Sequence, residues 1–137
     1  MTGLIYPMVV LVVLTFLVLF TLGIGRVLAI KACQVSIKSF VLMEGKGQLS
    51  TRLQQLDRNF TNLLEVPVLF YLWCLVVMVL PLQDASLIKL AWVYVAMRFI
   101  HSAIHITYNN VNHRFLVFVL SCALLLVMWL RLVFLIQ

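Results

Sequence analysis

The stretch RNFTNLLEVPVLFYLW, residues 58–73, begins with a charged and amidated helix start and ends in an unbroken apolar run. Arg58, Asn62 and Glu65 stand at i, i+4 and i+7, one face of a helix. Pro67 follows two residues later, removing one intrahelical hydrogen bond and clashing with the preceding turn, so the helix is expected to bend just beyond Glu65. A polar stripe leading into an apolar run of this length needs a partner for its carboxylate. Glu65 is therefore expected to face a bundle interior, a neighbouring subunit or a wet cavity rather than lipid.

The rest of the chain explains why lipid is the relevant solvent. Of 137 residues, 65% are hydrophobic and only 10% charged, and the mean hydropathy is +1.16, far above an ordinary soluble domain. Four apolar runs separate, roughly 4–30, 62–80, 87–106 and 115–136, each near the ~20 residues that cross hydrocarbon as a helix. The run LVVLTFLVLFTLG is apolar on every side, which excludes the alternating pattern of a membrane β-barrel. The expected architecture is a single all-α integral membrane domain, an up-down antiparallel four-helix bundle with helices at about 4–30, 58–80, 85–108 and 113–136. The second helix is expected to start before the bilayer, near Arg52, with Ser50 and Thr51 as its cap. No Lys or Arg precedes the first run, and its apolar stretch is longer than a signal-peptide core, so it is expected to stay as a helix.

Charge placement suggests an orientation. Lys31, Lys38, Lys46, Arg52 and Arg58 crowd the first loop, and His113 and Arg114 the third. The second loop, PLQDAS, carries Asp84 alone. By the positive-inside rule, loops one and three are cytoplasmic and both termini outside. Arg131 near the outer end dissents and is expected to snorkel. Anionic lipid accounts for the basic loops, so no nucleic-acid partner is expected. Cys33, Cys74 and Cys122 are odd in number and scattered, giving neither a disulfide framework nor a zinc pattern.

A second polar stripe lies in RFIHSAIHITYNNVNHR, where Arg98, His101 and His105 share one face of the third helix. Antiparallel helices two and three would bring both stripes to the same end. Two histidines at i, i+4 with a single nearby carboxylate, Glu65, do not make a metal site. Arg26, Arg58, Arg98 and Arg114 place one guanidinium on each helix near that end, and four such groups imply an anionic small molecule or lipid headgroup between them. The residues leave two readings open: an ion pair of Glu65 with Arg58 or Arg98 that fixes packing, or a polar ligand clamped at the mouth. Tyr108, Asn109 and Asn110 are either further ligand groups or turn chemistry. A small proton-coupled exporter would also need a membrane carboxylate, for which Glu65 is the sole candidate.

Arg58, then Asn62-x-x-Glu65, then Pro67 resembles the hallmark of the MAPEG family, the membrane-associated proteins of eicosanoid and glutathione metabolism, and looks closest to bacterial members. The resemblance spans nearly the whole chain. It implies a homotrimer in an inner membrane, glutathione at the subunit interface near the cytoplasmic face, and transferase or peroxidase activity on lipophilic electrophiles or hydroperoxides. It also admits non-catalytic lipid- or protein-binding members. By the resemblance, Asn62 and Glu65 would hold glutathione, Arg26 and Arg58 its carboxylates, and Arg114 its thiolate, the reactive form. Arg98, His101 and His105 match the Arg-x-x-His-x-x-x-Tyr helix of the prostaglandin E synthase type, except that His105 replaces the Tyr and Tyr108 follows three residues on.

Overall fold

The computed structural model describes residues 2–32, 50–80, 82 and 84–137. Cys33, Lys38 and Lys46 of loop one lie outside the described residues. A short 3-10 turn, Thr2–Leu4, leads into α1, Ile5–Lys31. Then come α2, Thr51–Glu65; α3, Pro67–Val79; α4, Ala85–Ile106; and α5, Val111–Ile136. No strand occurs among the described residues. Four spans are long and apolar enough to cross a membrane, with α2 and α3 together forming the second.

Pro67 divides that second span. Val66 keeps helical dihedrals, φ −62° and ψ −37°, while the ladder switches locally to a tighter bond, Leu69 N–H to the Val66 carbonyl at 3.0 Å. The backbone stays right-handed and only its hydrogen bonding is interrupted, as expected for a helix that meets a proline. α2 starts earlier than the apolar run: the Ser50 hydroxyl accepts from the Leu53 N–H and caps it, relieving one of the orphan donors at a helix start.

α1, α3, α4 and α5 each bury one stripe and leave most of the rest apolar and exposed, whereas α2 exposes a polar side. In α1 the buried positions Leu11, Leu14, Val18 and Leu22 recur every three or four residues, whereas Phe16, Phe20 and Ile24 face outward. An apolar outer surface is what hydrocarbon selects, since lipid rewards no polar coat. α1 packs on α2 and α4, α4 on α2 and α5, and α3 on α5. The core joins Phe70, Trp73 and Val77 of α3 to Tyr94 of α4 and Met128 of α5. Phe70 and Tyr94 stack at 4.6 Å, and the Trp73 indole N–H donates to the Met128 carbonyl at 2.9 Å.

Two details pin the helix ends. Arg131 donates to Asp84 at 2.8 Å, so the residue expected to snorkel instead closes the loop-two end. Asp84 also caps α4, accepting from Ser86 N–H at 2.8 Å. At the opposite end Gly25 lets α1 and α2 touch: a Cβ there would stand 2.4 Å from Leu53 Cδ2. One residue on, Arg26 forms an ion pair with Asp57 across the same two helices.

Candidate functional site

α2 sorts its residues by side. Leu53, Leu56, Asn59 and Leu63 are buried, while Arg58, Thr61 and Glu65 are exposed and Asn62 half-buried. The exposed side forms one wall of a cleft of about 360 Å³ lined by Asp57, Arg58, Thr61, Asn62 and Glu65, with His105 of α4 and Arg114 of α5 closing it. Three helices from distant parts of the chain thus deliver both charge signs to one place. A second cavity, about 180 Å³, shares Asn62 and Arg114 with the cleft and adds His101, Val111, Phe115 and Phe118.

Arg114 is aimed by the turn before it. Asn109 adopts a left-handed conformation, φ 46°, which Asn tolerates better than most residues. Its N–H donates to the Ile104 carbonyl at 2.8 Å, which satisfies one of the last carbonyls of α4. Its side-chain oxygen accepts from Arg114 Nη1 at 2.7 Å. Asn110 then caps α5, accepting from the N–H groups of Asn112 and His113. Asn109 and Asn110 of TYNN thus do turn and capping work. Tyr108 is exposed, shares a 3.2 Å hydrogen bond with His113 Nδ1, and is not part of the cleft lining.

The third-helix stripe lies inward of the cleft. Arg98 is fully buried and His101 and His105 are nearly so. Arg98 Nη2 donates to the Asn62 carbonyl at 2.8 Å, and its Nε and Nη1 have no partner among the described residues. His101 and His105 meet edge to face at 5.8 Å, each with an unpartnered Nδ1. The expected pairing of Glu65 with Arg58 or Arg98 does not occur: the ion pairs among the described residues are Arg26–Asp57 and Arg131–Asp84. The physical reason is geometric. Arg98 turns into the α2–α4 contact and takes a backbone carbonyl, while Glu65 points the other way.

Five of the expected residues, Arg58, Asn62, Glu65, His105 and Arg114, therefore line one cleft. His101 lines the adjoining cavity, Arg98 supports Asn62 from below, and Arg26 pairs with Asp57, which lines the cleft. Asn59 and Ser102 escaped the sequence reading. The Ser102 hydroxyl donates to Asn59 Oδ1 at 3.1 Å within the α2–α4 contact. The signal was present, because Asn59 falls on the same helix face as Leu56 and Leu63, where an amide requires a buried partner. Among the described residues no group of His, Cys, Asp and Glu is arranged to hold a metal ion.

These features define an all-helical integral membrane protein with a charged cleft at one end of its four-span bundle. The chain belongs to the MAPEG family, whose family model matches residues 4–134. No curated protein and no solved structure matches it significantly.

Proposed function

We propose that the cleft binds glutathione and that the protein is a glutathione-dependent transferase or peroxidase acting on a lipophilic electrophile or hydroperoxide. The observation that carries this reading is the meeting of Arg58, Asn62, Glu65, His105 and Arg114 around one cleft of about 360 Å³, within the usual range for small-molecule sites of about 300–1,000 Å³. Glutathione is a zwitterion with two carboxylates and an ammonium. The cleft offers guanidinium groups for the former and, in Glu65, a carboxylate without an ion pair for the latter. Asn62 Oδ1, buried and unpartnered, offers an acceptor for an amide N–H, since a buried orphan of this kind is costly unless something fills it.

Glutathione supplies the thiol. Arg114, held by Asn109, places a fixed positive charge beside the cleft, and a cation beside a sulfur favours the thiolate. Preorganised charge of this sort is where such a site gains its rate. The lipophilic partner arrives from the bilayer, and the two molecules are held together rather than activated covalently.

The cleft is open on the side of Arg58, Thr61 and Glu65, which supports a homotrimer in which a neighbouring chain covers that side. The crowding of Arg26, Arg58 and Arg114 at one end supports a cytoplasmic placement of loops one and three. Calorimetry with glutathione on protein in lipid nanodiscs, followed by conjugation of a generic electrophile, tests the proposal. Absence of both binding and conjugation leaves the alternative, a non-catalytic lipid- or protein-binding module.

A further inference from the structure

Pro67 leaves α2 with an end that its own backbone does not close. The proline has no N–H to offer the Leu63 carbonyl, and its ring crowds that carbonyl. α2 therefore stops at Glu65, and its last carbonyls carry the negative end of the helix dipole. In water such an end is solvated. This one lies deeper in the span than Arg58, and the group that meets it comes from α4. Arg98 is fully buried, and its Nη2 donates to the Asn62 carbonyl at 2.8 Å. No carboxylate pairs with it, the ion pairs among the described residues being Arg26–Asp57 and Arg131–Asp84. Arg98 lines neither cavity, whereas Asn62 lines both.

We propose that Arg98 is a positioning residue: from α4 it caps the last turn of α2 at the Pro67 break and thereby sets the direction in which Asn62 and Glu65 face the cleft. A cation suits the C-terminal end of a helix, and the guanidinium supplies a donor where the proline has removed one. Its effect is rotational. One turn away the Ser102 hydroxyl donates to Asn59 Oδ1 at 3.1 Å, so α2 is tied to α4 at Asn59 and again at Asn62. Two ties fix a rotation that one alone leaves free. A side-chain head roughly 6 Å from the helix axis moves by about 2 Å when the last turn rotates by about 20°. Misplacement of about 1 Å is enough to cost a site about 10²-fold. The charge of Arg98 thus acts through the main chain of α2 rather than on the ligand. The ligand-binding consequence rests on the reading of the cleft as a glutathione site, while the tie between α4 and α2 does not.

The test uses the full-length protein in nanodiscs, with glutathione as the titrant. Arg98→Met should weaken glutathione binding about 10-fold or more by calorimetry, and Arg98→Lys, which keeps the charge and a donor, should recover most of it. Pro67→Ala returns an N–H to the break, so Arg98→Met should cost several-fold less in the Pro67→Ala background than alone. An Arg98 that touches the ligand directly, or that only holds the bundle together, loses the same factor in both backgrounds, and equal losses overturn the proposal. An affinity unchanged in Arg98→Met overturns it too, whatever the melting temperature does. Amide hydrogen exchange without ligand separates this proposal from the glutathione reading. Arg98→Met should speed exchange of residues 62–66 several-fold and leave that of α5 unchanged. If the wild type binds no glutathione yet this local response appears, the positioning role stands and the glutathione reading alone fails. Exchange of residues 62–66 unchanged in Arg98→Met overturns the proposal with or without binding.

Discussion

Replacing Glu65 by Gln separates a ligand-binding cleft from a structural ion-pair network. Glu65 is exposed and takes part in no ion pair among the described residues, so removing its charge breaks no bond within the chain. Surface substitutions free of such features stay within about 0.5 kcal/mol. The melting temperature of unliganded protein should therefore hardly move. If Glu65 receives the ammonium of glutathione, the loss is that of one charge-assisted hydrogen bond, about 1.5–3 kcal/mol, which corresponds to roughly a 10- to 150-fold weaker Kd. The assay is calorimetric titration of wild type and Glu65→Gln in nanodiscs, with thermal unfolding measured with and without glutathione. The variant should lose the glutathione-dependent stabilisation and keep its basal unfolding temperature. Unchanged glutathione affinity together with lower basal stability would refute the reasoning and make Glu65 a structural residue.

Arg114→Met should leave glutathione binding within a few-fold of wild type and lower conjugation roughly 10²- to 10³-fold, the cost of losing one preorganised stabiliser; stopped-flow absorbance of the thiolate, weaker in the variant, checks the cause. Trp73→Phe removes the bond to the Met128 carbonyl and should cost about 1–2 kcal/mol in detergent unfolding, within the range for single hydrogen bonds between membrane helices plus a small void. Asn59→Ala leaves the buried Ser102 hydroxyl without an acceptor and should cost about 1–3 kcal/mol, with Asn59→Ala/Ser102→Ala recovering part of it in a double-mutant cycle. At the loop-two end, the Ser86 hydroxyl and N–H beside it, reinforced by Arg131, hold the Asp84 carboxyl below its ordinary value. Its folded pKa is depressed, so its contribution is present above the unfolded value of about 4 and fades as pH falls through the folded value. Melting curves from neutral to acidic pH should show wild type above Asp84→Asn at pH 7 and the two converging in acid.

The four spans were legible because each apolar run has membrane length and no soluble fold tolerates so little polar surface. The two polar stripes were legible because three charged or amide residues on one helix face cannot be accidental in hydrocarbon. What the stripes do with their partners was not legible. An ion pair of Glu65 with Arg58 or Arg98 was one of two open readings, yet helix rotation decides contact, and it turns Arg98 onto the Asn62 carbonyl. Tyr108 read as a neighbour of the site, but Asn109 reverses the chain after it and leaves the ring on the surface against His113. A helix starting near Arg52 already includes Asp57, but its pairing with Arg26 depends on how α1 and α2 pack. In each case the deciding quantity is a rotation or a turn geometry set by packing, which one-dimensional spacing does not contain.

Depth along the bundle turns the open side of the cleft into a requirement. Counted from Val79 at about 1.5 Å per residue, Glu65 stands about 21 Å from the loop-two end and Arg58 about 31 Å. With a hydrocarbon core of about 30 Å, Arg58 lies at the interface while Glu65 sits about 9 Å inside it. On the same scale Arg98 stands about 20 Å from Ala85, level with Glu65, and His105 about 30 Å, level with Arg58. An exposed carboxylate at that depth cannot face lipid, and the one guanidinium at its own level is turned away from it. Water or a polar group beyond the described residues is therefore expected at Glu65. Pro67 marks where the polar half of the span gives way to the apolar half, so that α2 carries that demand on one side while Phe60, Leu63 and Leu64 keep its other side apolar.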